Sequence, residues 1–332
     1  MIKVAINGFG RIGRMVLRSI IENNTKSIQV VAINNRADTG ISAFLLERDT
    51  IHGTLNTKVQ FDKSSIKIKN QKILCFHEND PGNLPWKKLG IDIVFECTGK
   101  FNSKELSSKH LLAGAKKVLV SAPCKNADKT IVYGVNHKNI TSKDRIISVA
   151  SCTTNCLAPL AYVIDKNFSI ERGYMTTIHS YTSDQRLLDN SHKDLRRARS
   201  APNSMVPTST GAATSLGLIL PNLKNKVDGI SIRVPTPNVS LVQLSFTAKK
   251  KMNEKLINVA LEKASKTYLK NILGVSEQPL VSSDFNHDPR SSIVDTLLTK
   301  VVDEKIATVF SWYDNEWGFS NRMVDLALFL KK

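Results

Sequence analysis

Two side chains in this sequence have the types and the setting for covalent catalysis: the thiol of Cys152 and the imidazole of His179. Cys152 belongs to the segment S-C-T-T-N-C (151–156), directly after the apolar run 146–150, at the expected start of a helix. A helix N-terminus presents unpaired N–H groups and positive potential. Both favour a thiolate, the nucleophilic form of cysteine. The same N–H groups can hold the oxyanion that forms when sulfur attacks a carbonyl. His179 ends an expected strand, 174–179, that returns from this helix. Beside the sulfur it would act as the base that activates the thiol. Taken singly, a buried structural cysteine or a hydrogen-bonded structural histidine is the commoner case. Cys156 stands one helical turn beyond Cys152, but no further thiol or closely spaced histidine completes a ligand set, so no metal is expected.

A second constellation opens the chain. The apolar run 1–6 leads into N-G-F-G-R-I-G (7–13), and a helical pattern at Met15, Val16, Leu17, Ile20 and Ile21 follows. Gly8, Gly10 and Gly13 form G-x-G-x-x-G between a strand and a helix, the context in which it binds a dinucleotide. A second strand, 28–33, ends at Asn34-Asn35, where the ribose of such a ligand is read. Hydroxyls and arginines add a third chemistry. Ser151, Thr153, Thr182, the run 208–211, Arg197 and Arg233 suit the binding of phosphate groups. An activated thiol, a dinucleotide site and phosphate ligands together suggest oxidation of a phosphorylated aldehyde through a thioester.

The elements that must position these groups fall into two blocks. Up to about residue 150, strands alternate with helices: 92–96 and 117–121 are strands and 104–114 is a helix. Such alternation implies an α/β domain with a mostly parallel sheet, whose ligands gather at the carboxyl ends of the strands. Gly8 to Gly13, Asn35, Thr98 and Ser121 all lie at such ends. The interval 51–75 has the short alternating runs of an antiparallel insertion. After Cys152 a helix is expected to about 166, then strands at 174–179, 229–235, 240–248 and 305–313, helices at about 253–270 and 319–331, and a long polar loop at 180–206. Long loops in compact domains are functional or form interfaces. The expectation is a Rossmann-type dinucleotide-binding domain over 1–150, rejoined by the helix at 316–332, and an α+β catalytic domain with an antiparallel sheet over 151–315.

Composition narrows the function classes. The 332 residues are 41% apolar, and no apolar run is long enough to span a bilayer. The N-terminus enters the glycine turn directly and lacks the zones of a signal peptide. Five cysteines, with no C-x-x-C pair, suit a reducing, cytoplasmic compartment. The net charge of +18 raises the possibility of a basic RNA-binding protein. The lysines and arginines are dispersed, however, without a basic tail or an aromatic stacking platform. Weak, salt-sensitive and incidental nucleic-acid binding is the expectation.

The chain resembles the phosphorylating glyceraldehyde-3-phosphate dehydrogenases of the bacterial type over essentially its whole length. The resemblance rests on residues 7–13, S-C-T-T-N-C-L-A-P (151–159), H-S-Y-T-S-D-Q (179–185), H-K-D-L-R-R-A-R (192–199), P-T-S-T-G-A-A (207–213), R-V-P-T-P-N-V-S (233–240) and S-W-Y-D-N-E-W-G-F-S-N-R (311–322). It implies Cys152 as nucleophile and His179 as base, with glyceraldehyde 3-phosphate and inorganic phosphate as substrates. Thr182 and Arg233 would hold the substrate's C3 phosphate. Ser151, Thr153, Thr210 and Gly211 would hold the attacking phosphate, and Arg197 would contact substrate. Arg11 and Ile12 would lie under the pyrophosphate, Ser121 near the nicotinamide, and Asn315 on its carboxamide. It also implies NAD or NADP as cofactor and a homotetramer in which the 180–206 loop reaches a neighbour's cofactor.

Five positions depart from the family pattern: Asn35 for an acidic residue, Asn79 for an arginine, Val149 for a frequent Asn, and Asn190-Ser191 for Leu-Pro. Asn35, the adjacent Arg36 and the hydroxyl of Ser191 favour NADP, because a carboxylate at 35 would repel a 2′-phosphate. Asn79 weakens that case, and Val149 has no explanation from sequence. A relative that hydrolyses its acyl-enzyme, erythrose-4-phosphate dehydrogenase, is the enzymatic alternative. The Thr-Gly pair at 210–211 argues against it.

Overall fold

A computed structural model describes residues 1–331, which cluster into two compact units. The first comprises 1–133, 137–150 and the chain from Ser320 onward; the second comprises 134–136 and 151–319.

In the first unit the chain alternates as its hydrophobic pattern dictates. Strand β1 (Ile2–Asn7) is followed by helix α1 (Arg11–Glu22), β2 (Ile28–Asn34) and α2 (Thr39–Glu47). A small hairpin, β3 (Arg48–Asp49) with β4 (Gly53–Thr54), leads to β5 (Val59–Phe61), β6 (Ser65–Ile68) and β7 (Gln71–Phe76). Then come α3 (Trp86–Leu89), β8 (Ile93–Glu96), α4 (Lys104–Leu112), β9 (Lys117–Val120), β10 (Lys129–Thr130) and β11 (Ile146–Ser148). Nine strands form one sheet in the order β10-β11-β9-β8-β1-β2-β7-β6-β5. The 51–75 interval is therefore less separate than expected. Strands β5, β6 and β7 pair antiparallel, but β7 also pairs parallel with β2 and extends the main sheet.

Strand order reverses at β1, which pairs in parallel with β2 on one side and β8 on the other. Such a switch leaves a crevice outside the carboxyl ends of the two strands. Val4, Ala5, Ile6, Val94 and Phe95 have no exposed surface, as strands covered on both faces require. On one face Ala5, Ala32, Trp86, Ile91 and Val94 pack into a common apolar cluster.

In the second unit α5 (Cys152–Phe168) is followed by β12 (Ile170–Ser180), β13 (Val206–Ser209), α6 (Ala212–Ile219), β14 (Val227–Val234) and β15 (Ser240–Ala248). Helix α7 (Glu254–Lys266), β16 (Leu273–Ser276), β17 (Ser292–Val302) and β18 (Ile306–Tyr313) complete it. Helix α8 (Trp317–Phe329) closes the chain. The seven-stranded sheet runs β13-β14-β12-β15-β18-β17-β16. It is antiparallel-rich rather than wholly antiparallel, because β12 with β14 and β16 with β17 pair in parallel. The β12–β14 pairing has a direct consequence for chemistry: its register sets His179 opposite Arg233.

Candidate active site

Ser151 caps α5: its backbone is extended and its Oγ accepts the Thr154 N–H at 3.1 Å. That cap makes Cys152 the first helical residue. His179 lies one residue before the end of β12 and is 4% exposed. Its Nε2 is 3.5 Å from the Cys152 Sγ. Its Nδ1 is 2.7 Å from the Ser180 carbonyl oxygen and 2.9 Å from Arg233 Nη1, which also donates to that carbonyl at 3.1 Å. A carbonyl can only accept and a guanidinium can only donate; the carbonyl is the nearer neighbour of Nδ1, and Arg233 Nη1 has that same carbonyl as its acceptor, so the imidazole proton belongs on Nδ1. The Nε2 lone pair then faces the sulfur, the orientation a general base needs.

The electrostatics differ from the simple helix-terminus expectation. Burial pushes the Cys152 thiol up, while Arg233, the Thr153 hydroxyl and helix-start N–H groups pull it down, and burial prevails. The helix start alone therefore does not make a standing thiolate. Burial and the neighbouring Arg233 together push His179 down to about 3. The pair is thus a thiol facing a neutral imidazole, poised to pass its proton as sulfur attacks.

A buried hydroxyl relay lies beneath this pair, and the sequence did not reveal it. The Tyr313 hydroxyl bonds the Thr153 hydroxyl at 2.9 Å and the Thr177 hydroxyl at 2.8 Å. The Tyr313 ring meets the His179 ring edge-on, with centroids 6.0 Å apart. Tyr313 thereby ties the residue after Cys152 to the strand that carries His179. The alternation of β18 is the one signal that could have found it, since Val309, Ser311 and Tyr313 all point inward. Thr153, expected to hold phosphate, is 4% exposed and has its hydroxyl in this relay.

The other expected anion ligands of this unit have definite partners. Thr210 Oγ1 accepts the Ala212 N–H at 3.2 Å, and Gly211 is the N-cap of α6, so both stand at a helix start suited to an anion. The Thr182 N–H donates to Gln185 at 3.3 Å. Arg197 is held by Asp184, with Asp194 at 3.4 Å. Desolvation pushes the Asp184 carboxyl up, but Arg197 and His192 together outweigh it and hold the group below its usual range. Ser191 is exposed, and its backbone carbonyl accepts from Arg186 at 2.9 and 3.1 Å. Asn315 Oδ1 accepts from Ser180 Oγ at 2.9 Å and from Ser240 Oγ at 3.0 Å. Ser240 Oγ itself accepts the Ser180 N–H at 3.1 Å, so its proton is free to donate to Asn315. Cys156 faces Ser292 and the Ser311 carbonyl, and burial pushes its thiol up to about 12, where it is inert.

In the first unit a cavity of ≈ 300 Å³ opens at the switch point, lined by Gly8, Gly10, Asn35, Arg36 and Thr98 among others. Its glycines divide by role. A Cβ on Gly13 would lie 2.1 Å from the Gly8 carbonyl oxygen, so Gly13 serves the close approach of helix to loop. A Cβ on Gly10 would meet nothing within 4 Å, so the space above it is left for a ligand. Gly10 is also the N-cap of α1, which directs the N–H groups at Arg11 and Ile12 toward that space. The Arg11 guanidinium turns to Asp49. Desolvation is the largest single influence on Asp49 and acts upward, but Arg11 and two backbone N–H groups together hold the carboxyl at about 2. A dinucleotide pyrophosphate fits this donor set through backbone rather than through the Arg11 charge.

Asn35 Nδ2 donates to Ser42 Oγ at 3.1 Å, and Arg36 is exposed at the cavity rim. Ser121 follows β9, with its N–H on the Glu96 carbonyl at 2.9 Å. No group of three or more potential metal ligands occurs among the described residues, and no helix among them is long and apolar enough to cross a membrane.

Residues 2–104 match the family model for the glyceraldehyde 3-phosphate dehydrogenase NAD-binding domain, and residues 151–315 match that for the C-terminal domain. The chain is 53% identical to a glyceraldehyde-3-phosphate dehydrogenase of Zymomonas mobilis, covering 100% of this chain and 99% of that protein. It is 51% identical to those of Geobacillus stearothermophilus and Pseudomonas aeruginosa, each over 99% of this chain and 98% of the relative. With a cysteine–histidine pair in one unit and a dinucleotide cavity in the other, the chain belongs to the glyceraldehyde-3-phosphate dehydrogenase family.

Proposed function

We propose that this chain catalyses the reversible oxidation and phosphorylation of glyceraldehyde 3-phosphate to 1,3-bisphosphoglycerate through a thioester on Cys152. The observation that carries this reading is the Cys152–His179 pair, 3.5 Å apart, with the imidazole tautomer set by Ser180. Cys152 Sγ attacks the aldehyde carbon and its proton passes to His179 Nε2, which leaves the hemithioacetal as its oxyanion. The nicotinamide coenzyme, when bound, supplies the two-electron oxidant that takes the aldehyde hydrogen as hydride. The product on the enzyme is an acyl thioester. An oxygen of inorganic phosphate then attacks that carbonyl, the C–S bond breaks, and Sγ leaves as a thiolate that takes its proton back from His179 Nε2, regenerating the thiol–imidazole pair while the proton of the phosphate is released to water.

Arg233 and Thr182 are assigned to the substrate's C3 phosphate. Ser151, Thr153, Thr210 and Gly211 are assigned to the attacking phosphate, of which Thr210 and Gly211 have the stronger geometric support because they open α6. Arg197 is assigned a substrate contact, which requires its exchange from Asp184 to the ligand. Asn315 is assigned to the carboxamide, its oxygen already held by two serines. Gly8, Gly10, Arg11, Ile12, Gly13, Thr98 and Ser121 are assigned to the coenzyme. Retention of the Thr210–Gly211 helix start disfavours a hydrolytic erythrose-4-phosphate dehydrogenase.

NADP is the proposed preferred coenzyme. No carboxylate stands at position 35, and Arg36 lines the cavity with no ion pair among the described residues. Ser191 adds a hydroxyl from the 180–206 loop, toward the coenzyme of a neighbouring subunit in the proposed homotetramer. Leu187, Leu188, Leu195 and Met205 of that loop are each more than 70% exposed, an apolar surface that subunit contact would cover. A cytoplasmic location is part of the same proposal. Initial rates with glyceraldehyde 3-phosphate and erythrose 4-phosphate, each with and without phosphate, test the substrate assignment. The triose should be the better substrate and should depend on phosphate; faster, phosphate-independent turnover of the tetrose would overturn it.

A further inference from the structure

Beneath the dinucleotide cavity lies a closed polar network that the mechanism does not use. Glu96 ends β8 and is 1% exposed. One carboxylate oxygen accepts the Thr98 N–H at 2.8 Å and the Thr98 hydroxyl. The other accepts Asn7 Nδ2 at 2.5 Å and His110 Nε2–H at 2.9 Å. Asn7 in turn accepts Asn34 Nδ2 at 2.7 Å. Asn34 clasps the backbone of Glu78, donating to its carbonyl at 2.9 Å and accepting its N–H at 2.8 Å. The ends of β1, β2 and β8 and the segments at 78 and 98 are thus joined through one carboxylate. Asn7, Asn34, Glu78 and Thr98 all line the cavity.

The direction of every bond in the network is set from its far end. The Trp86 indole N–H can only donate, and it donates to His110 Nδ1 at 3.0 Å. His110 must then carry its proton on Nε2 and donate to Glu96. Four donors converge on Glu96, which fills the capacity of an ionised carboxylate. Glutamine has the same shape but cannot replace it. In one orientation its –NH2 faces Asn7 Nδ2 and His110 Nε2–H; in the other it faces the Thr98 N–H. A tautomer switch of His110 would relieve its own part of the first clash, leaving Asn7 Nδ2 opposed, but would turn Nδ1–H against the Trp86 indole.

We propose that Glu96 is a positioning residue for the dinucleotide, held in its acceptor role by the Trp86–His110 pair. It acts by holding Asn7, Asn34 and Thr98 in the arrangement the coenzyme meets. The inference rests on the placement of the dinucleotide at this cavity. It assigns functions to Glu96, His110 and Trp86 that do not involve touching the ligand; neither His110 nor Trp86 lines the cavity.

The test is binding of ADP-ribose, NAD and NADP to the full-length enzyme, with wild type, Glu96→Gln, Trp86→Phe and the double variant. Glu96→Gln should weaken all three ligands alike, by about tenfold, as expected for misaligning a charged hydrogen-bond hub. Alkylation of Cys152 without coenzyme, and kcat at saturating coenzyme, should stay within about twofold, because the reacting groups lie elsewhere. Trp86→Phe frees His110 to change tautomer and accept from the introduced glutamine amide, which removes one of the two clashes there, so the double variant should recover part of the loss, to within about threefold of wild type. A general loss of stability would not give that recovery. His110→Leu, which removes one donor and leaves Glu96 intact, should weaken ADP-ribose by about threefold and serves if Glu96→Gln does not fold. Wild-type affinity in Glu96→Gln or, failing that variant, in His110→Leu would overturn the proposal, as would a double variant no better than the single. Failure of wild type itself to bind ADP-ribose would instead remove the dinucleotide assignment.

Discussion

His179 places Nε2 3.5 Å from the Cys152 sulfur while its other ring nitrogen is pinned 2.7 Å from the Ser180 carbonyl. The backbone of β12 itself thus sets which nitrogen is the base. His179→Asn should slow alkylation of Cys152 by iodoacetamide by about a hundredfold, the lower range for loss of a general base. ADP-ribose affinity should not change. Equal alkylation rates in the two proteins would show that the imidazole does not activate the thiol.

The same burial makes His179 a source of acid lability. Its folded value of about 3 lies below the unfolded value near 6.5, so between these pH values the unfolded chain binds a proton that the folded chain does not. Stability from this group is complete above pH 6.5 and is lost as pH falls toward 3. From pH 7 to pH 5 the loss is about 2 kcal/mol by linkage. Urea unfolding of wild type and His179→Asn at both pH values should show that much less loss in the variant. Parallel losses would contradict the assignment of a buried neutral imidazole.

Gly10 and Gly13 should separate ligand approach from folding. Gly10→Ala adds a methyl to open space, so apo stability should change little, while NAD affinity should fall by about tenfold or more as the pyrophosphate loses its approach. Gly13→Ala drives a Cβ to 2.1 Å from the Gly8 carbonyl oxygen and should cost about 3 kcal/mol or more of stability. Thermal unfolding and coenzyme titration of both variants check this. A Gly10→Ala enzyme with unchanged NAD affinity would displace the pyrophosphate from the α1 terminus.

Cofactor preference turns on Asn35 and Arg36. Wild type should favour NADP in kcat/KM by about tenfold, the worth of one charged hydrogen bond. Asn35→Asp should move the ratio toward NAD, since a carboxylate repels a 2′-phosphate and bonds the 2′-hydroxyl. A strong preference for NAD in wild type, unaltered in Asn35→Asp, would refute this account of the ribose pocket.

The parts legible in the sequence were those written locally. The glycine loop of 7–13, the capped start of α5 at Ser151 and the strand leading to His179 each depend on a short run of residues with one periodicity. Strands β16 and β17 were not anticipated, and the parallel β12–β14 pairing that sets Arg233 beside His179 cannot be seen from either strand alone. Long-range hydrogen bonding was the least legible. Glu96 accepts from Asn7, 89 residues away, and Tyr313 joins Thr153, 160 residues away. Their types gave no hint of these bonds, which arise only when the sheets assemble. The Cys152 thiol shows the same division: the helix-start effect is local and readable, whereas the burial that opposes it is tertiary.

The most direct test of the central claim is NADPH or NADH formation from glyceraldehyde 3-phosphate, followed with and without phosphate, in wild type and in Cys152→Ser. Without phosphate, wild type should give a burst no larger than one equivalent per Cys152 and then stall at the thioester. Phosphate or arsenate should convert that burst into continuous turnover, and Cys152→Ser should show neither phase. Sustained turnover without an acyl acceptor other than water, or substantial activity in Cys152→Ser, would contradict a phosphorolysed thioester at this cysteine.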